Sequence, residues 1–223
     1  MQHQYPYTSS QIASLEKSIS PARISTYQRI SGGNKVKALE LYYWNMALGQ
    51  SLYVSLQTLE VSLRNAIAEA IEHIFGQTWY AQARFKTILS SWSRTALEST
   101  VRKVTANNKR RGKPVSAGDI VANLTFSFWR ELLKQRYDVH LWNSQLKIAF
   151  PNLPVRRDNQ DIYNRVNKII SLRNRIAHHE PIIASKLTSL YNSMLEIIGW
   201  ICLDTRDWVD HHCDFMTVHG NRP

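Results

Sequence analysis

The chain has 223 residues, 43% of them hydrophobic, which suffices to bury a real core and points to one domain or a domain with an appendage. Its 28 Lys and Arg outweigh 17 Asp and Glu, and the net charge of +11 favours polyanions without separating RNA, DNA and anionic lipid. Two cysteines, Cys202 and Cys213, exclude a disulfide framework and suggest no oxidising compartment.

The start, Met1-Gln2-His3-Gln4-Tyr5-Pro6, is polar and lacks the charged-then-apolar build of a signal peptide. Only 8 Gly and 7 Pro punctuate the chain, and most segments between them carry a helical period. Ser20-Pro21 reads as an N-cap and first helical residue, opening a helix to about Ile30 that Ser31-Gly32-Gly33 ends. From Asn34 a long helical pattern runs to about Phe75, with Gly49 as the place for an interruption. A further helix is expected over 83–104, and polar, basic 105–115 reads as an exposed loop bearing Lys109, Arg110, Arg111 and Lys113.

Ser116 with Asp119 marks another helix start, continued from Ile120 to Leu133 through Phe126, Phe128 and Trp129. The tryptophans and phenylalanines read as core and interface rather than as platforms for bases. After Pro151 and Pro154, Asp158 caps a helix whose apolar residues Ile162, Val166 and Ile169 recur at spacings of four and three. The last clear helix is expected over 185–203, antiparallel to its predecessor. Its longest strongly apolar run, Ile197 to Leu203, is far too short to span a bilayer, and a cytoplasmic protein is expected. The tail holds His211, His212, Cys213 and His219, whose spacing fits no zinc site, and reads as loosely packed. With no convincing strand pattern, the fold is expected to be all-α, divided as 1–33, 34–205 and 206–223.

The most informative run is Ser171-Leu172-Arg173-Asn174-Arg175-Ile176-Ala177-His178-His179-Glu180-Pro181. Arg173 falls on the apolar stripe, where a desolvated guanidinium requires a partner. At about 100° per residue, Asn174 and His178 are neighbours one turn apart, while His178 lies about 140° round from Arg173. Pro181 ends the helix near His179, placing the imidazoles at the negative end of the helix dipole. A titratable imidazole beside a fixed cation and an amide suits acid–base work on a phosphodiester. Equally, Arg173 could pair with Glu180 inside the bundle while His178 or His179 caps carbonyls. Ser62-Leu63-Arg64-Asn65-Ala66-Ile67 echoes this run but lacks its histidine, giving Arg64 and Asn65 an accessory or structural role.

The Arg173-Asn174 pair followed by His178 resembles the signature of the HEPN superfamily. More narrowly, the chain resembles the Abi-like (abortive infection) family of bacterial phage-defence proteins. The stretches Pro21–Tyr27, Leu41–Asn45, Leu59–Ile67, Phe128-Trp129 and Ala149–Pro151 carry that resemblance together with the run itself. It implies a HEPN-like helical bundle with additional N-terminal helices and a metal-independent ribonuclease with no cofactor. Arg173, Asn174 and His178 are its implied catalytic residues, with His179, Glu180, Arg64 and Asn65 as accessories. By charge, Lys109, Arg110, Arg111, Lys113 and Arg175 are candidate RNA contacts, although a charge run such as 109–113 is more often a solvated loop. The resemblance further implies a homodimer across a shared cleft and toxin-like control by an antitoxin, in some members a structured noncoding RNA. An RNA-binding module without cleavage and a structural dimerisation protein are the rival readings.

Overall fold

The computed structural model describes residues 5–223, among which every regular element is helical. Met1–Gln4, on which most of the polar-start reading rests, lie outside the described residues. Among the described residues no helix is long and apolar enough to cross a membrane. The chain forms two compact units, each assembled from separated stretches.

The first unit takes the chain up to Tyr53, together with 174–188 and 213–223. It begins with α1 (Ser9–Ile19), capped by a reciprocal box in which Gln11 N donates to Thr8 Oγ1 and Thr8 N donates to Gln11 Oε1. Next comes α2 (Pro21–Ile30), whose Pro21 sits in the first turn as the sequence suggests. Ser20 at its N-cap makes no side-chain cap bond and has a φ of 85°, so this helix is entered through a sharp backbone turn rather than a hydroxyl cap. Asn34 Oδ1 accepts from Lys37 N at 3.0 Å and starts α3 (Lys35–Ser51). Ile24 and Tyr27 of α2 are buried, as are Leu41 and Leu48 of α3, and the two helices pack against each other.

The second unit takes 54–173 and 189–212. The long helical pattern from Asn34 to Phe75, with Gly49 as its expected interruption, breaks at Leu52 instead, and α4 (Tyr53–Phe75) follows. The region expected as one helix over 83–104 divides into α5 (Ala83–Ile88) and α6 (Ser91–Arg110). Ser90 Oγ accepts from Ser93 N at 3.2 Å, and this cap restarts the helix. Because α6 runs to Arg110, the exposed basic loop shrinks to 111–115, and Lys109 and Arg110 are helical. Ser116 and Asp119 form the expected capping box at the start of α7 (Ala117–Asn123). The single helix expected through Leu133 is instead interrupted at Leu124, and Thr125 caps α8 (Phe126–Glu131).

Past a π-helical turn at Asp138–Trp142 come α9 (Asn143–Ala149), α10 (Asn159–Ala177), α11 (Leu187–Ile201) and α12 (Leu203–His212). The last helix of the chain, α13 (Phe215–Gly220), belongs to the first unit. The expectation of a loose tail is therefore corrected. Val209 and Phe215 are fully buried, and apolar burial of this kind holds both tail helices down. The second unit's core gathers Leu59, Leu63, Ile67 and Ile71 of α4 with Phe85, Leu97, Phe128 and Trp129. Trp129 meets Phe128 and Trp79 edge-on, with ring centroids 5.2 and 6.2 Å apart.

Candidate active site

The helix that carries the candidate residues is built as the sequence indicates. Asp158 Oδ1 accepts from Asp161 N at 2.8 Å at its start, and Ile162, Val166, Ile169 and Leu172 are buried along its length. The stripe continues in angle through Arg173, but its cover does not, because Arg173 is solvent-exposed. The expectation of a desolvated guanidinium needing a partner is thereby corrected. Arg173 makes no hydrogen bond or ion pair with another described residue, and Glu180 faces Arg175 instead, 3.5 Å from its Nε.

Beyond Arg173 the helix closes in the first unit, ending at Ala177, two residues before the expected end at His179. His178 N still donates to Asn174 O at 2.9 Å. Glu180 N then reaches back to Arg175 O at 2.8 Å and His179 N to Ile176 O at 3.0 Å, the paired bonds of a Schellman closure. Such a closure needs a left-handed residue, usually glycine, yet His179 occupies it with a φ of 57°. A non-glycine residue held there stores strain that its surroundings must over-determine.

Those surroundings are visible in the first unit. Arg23 Nη1 of α2 donates to His179 O. Asn45 of α3 is buried, and its Oδ1 accepts from Ile182 N at 2.7 Å while its Nδ2 reaches Glu180 O at 3.4 Å. Arg175 folds along the same turn, donating to Ser185 Oγ at 2.8 Å and to Pro181 O. A methyl group on Gly49 would lie 3.4 Å from Ile176 Cγ2, so the absence of a side chain lets α3 approach the helix end closely. Arg23 and Asn45 were not singled out from the sequence for this role. An amide at a position flanked by Leu41, Trp44 and Leu48 on one helical face was the signal available.

The result is a rigid turn presenting open chemistry. His178, His179, Asn174 and Glu180 are all exposed, and neither imidazole makes a side-chain hydrogen bond to a described residue. Tyr27 is buried nearby in α2; burial pushes its phenol up to about 12, Tyr42 adds to the rise, and the Arg23 and Arg175 charges oppose it. Among the described residues no group of three or more His, Cys, Asp or Glu side chains is placed to hold a metal ion. An accessible imidazole with a neighbouring amide can exchange a proton with a bound ligand and orient it.

The family model for Abi-like proteins matches residues 5–184, about four-fifths of the chain. The chain belongs to the Abi-like family. No curated protein and no solved structure matches it. The family match takes in Arg23, Asn45 and the whole of the turn from Asn174 to Ile182, and it ends before α11.

The remaining predicted residues lie in the second unit, apart from Arg175. That guanidinium is committed to the 180–185 turn, so its RNA-contact reading gives way to a structural one. Lys109, Arg110, Arg111 and Lys113 are exposed at the end of α6 and in the turn after it. Asn108 fixes that turn by donating to Pro114 O and to Asp119 Oδ2, each at 3.0 Å. The Ser116 backbone N–H and hydroxyl, followed by the Asn108 amide, hold the Asp119 carboxyl below its ordinary range. Arg64 pairs with no described residue, so the pairing considered for it inside the bundle is absent. Arg64 and Asn65 line a cavity of their own.

Proposed function

We propose that this Abi-like protein is a metal-independent RNA endonuclease of HEPN type, acting in the cytoplasm in phage defence by abortive infection or as a toxin under antitoxin control. The observation that carries this reading is the exposed Arg173-Asn174 pair, followed one turn on by His178 in a turn pinned by Arg23 and Asn45. These side chains are exposed and have no partner among the described residues, so they can meet a ligand without first giving up a contact.

In the proposed reaction His178 takes the proton from a ribose 2′-hydroxyl, whose oxygen attacks the adjacent phosphorus. The bond from phosphorus to the 5′ oxygen breaks, that oxygen acquires a proton from His179 or water, and a 2′,3′-cyclic phosphate remains. Arg173 holds the phosphate as charge grows, and Asn174 orients the imidazole or the phosphate. General base catalysis contributes about 10²–10⁴-fold. A preorganised charge-stabilising donor is worth roughly 3–4 kcal/mol. Together they suffice for a slow ribonuclease. A homodimer would place a second copy against the uncovered stripe at Arg173 and supply the partner set of residues; sedimentation as a dimer at micromolar concentration is expected.

The test is incubation of single-stranded RNA in EDTA with wild type, His178→Ala and Arg173→Ala. Cutting by wild type alone supports the enzyme. The exposed basic edge at 109–113 favours one second reading, an RNA-binding module that orders a structured noncoding RNA without cutting it. Equal RNA binding by all three proteins without cleavage would select that reading.

A further inference from the structure

Helix α6 packs on α7 and α8, yet its 20 residues bury only Ser93, Leu97 and Val104. At 1.5 Å per residue it spans about 30 Å, and one side stays open along that whole length. Trp92, Arg102, Lys103, Lys109 and Arg110 lie within about 120° of one another on that side, at about 100° per residue. All five are exposed, Trp92 by 51%. Thr95, Ser99 and Ala106, small and exposed, fill the spaces between them. Five cations stand on the helix against one acid, Glu98, which falls at the edge of this face.

Lysine and arginine in a last helical turn answer the helix dipole, which accounts for Lys109 and Arg110. Arg102 and Lys103 sit mid-helix, where the dipole asks for no charge, and neither pairs with a described residue. Trp92 likewise meets no other ring and makes no hydrogen bond among the described residues. Each feature alone is ordinary on a protein surface. On one open face they make the combination that binds an unpaired strand, cations for successive phosphates and an aromatic face on which a base stacks. A duplex hides its base faces along its length and would leave Trp92 without a role. A membrane would need an apolar stripe to bury, and between Trp92 and Arg102 this face offers only Thr95 and Ser99.

We propose that α6 is a docking track for single-stranded RNA, on which a base stacks against Trp92 and the backbone runs past Arg102 and Lys103 toward Lys109 and Arg110. The basic edge at 109–113 is then one end of a longer surface. The choice of RNA rests on the proposed function, and the track would hold the strand independently of the chemistry of His178.

The experiment is fluorescence-anisotropy titration of the full-length chain, carrying His178→Ala, with a short labelled oligouridine over a range of salt. The His178 side chain is exposed and unpaired, so this background removes cutting by that imidazole and leaves the fold intact. Trp92→Leu is expected to weaken binding about tenfold at every salt concentration, and Trp92→Phe to keep most of it, because stacking needs a ring rather than an apolar side chain. Replacing Arg102 and Lys103 together with glutamine should flatten the slope of log affinity against log salt by about 1.4, the share of two phosphate contacts on a single strand. Oligouridine binding untouched by Trp92→Leu, equally tight binding of an RNA duplex of the same length, or binding to vesicles of equal phosphatidylserine and phosphatidylcholine in place of RNA would each overturn the proposal. The expected losses in a chain whose wild type cuts no RNA would uphold the track while the nuclease reading fails. Cutting by wild type, with binding unmoved by all the α6 variants, would do the reverse.

Discussion

His179 concentrates the tension between stability and function in one backbone angle. Its left-handed conformation completes the closure of α10, and glycine would adopt it at lower cost. His179→Gly is expected to raise unfolding free energy by about 1 kcal/mol in urea titration, because its exposed side chain surrenders no hydrogen bond. A fall in stability would mean that the imidazole packs usefully after all. Tyr27 gives a second test at this scale, in pH. Its folded pKa of about 12 exceeds the ordinary phenol value of 10.0, so the unfolded chain releases the proton first. The stability tied to the neutral phenol is therefore complete below pH 10 and drains away as pH rises through 12. Thermal unfolding across that window should show Tyr27→Phe losing less stability than wild type. Parallel losses in the two proteins would deny Tyr27 this role.

Between elements, the decisive contacts are those that α2 and α3 make to the turn after α10. Asn45 satisfies the buried Ile182 N–H, which would otherwise be left without an acceptor. Asn45→Ala is expected to cost about 1–3 kcal/mol in stability. It should also lower any RNA cleavage without abolishing RNA binding, since it frees the turn while sparing the exposed cations. Much of this framework could be read from the residues. The helical periods, the Asn34 and Asp158 caps and the Ser116–Asp119 box all form as their side-chain chemistry implies. The breaks before α6 and α8 carried a signal too, Ser90 and Thr125 as N-caps, which the apolar runs around them concealed. Leu52 carried none of its own: it lies between Ser51 and Tyr53, and the glycine that suggested a break, Gly49, stands three residues earlier inside α3. Exposure at Arg173 was illegible for a different reason. Periodicity reports which residues share a face, and only tertiary packing decides how far along a helix that face stays covered.

Over the whole molecule, charge is the property the sequence states most plainly, and its net +11 includes an exposed edge at Lys109, Arg110, Arg111 and Lys113. If those four cations neutralise phosphates, replacing all of them with glutamine should flatten the dependence of log affinity for single-stranded RNA on log salt by about 3. An unchanged slope would move RNA binding elsewhere on the surface. Whether the imidazole and guanidinium serve one reaction is read most directly from the substrate. The decisive assay is cleavage of a short RNA in EDTA, compared with the same strand carrying a single 2′-deoxyribose at the cut position. Attack by the 2′-hydroxyl with His178 as base requires cyclic phosphate ends from the RNA, protection at the deoxy position, and no cutting by His178→Ala. Cleavage that persists at the deoxy position, or in the absence of His178, would contradict it.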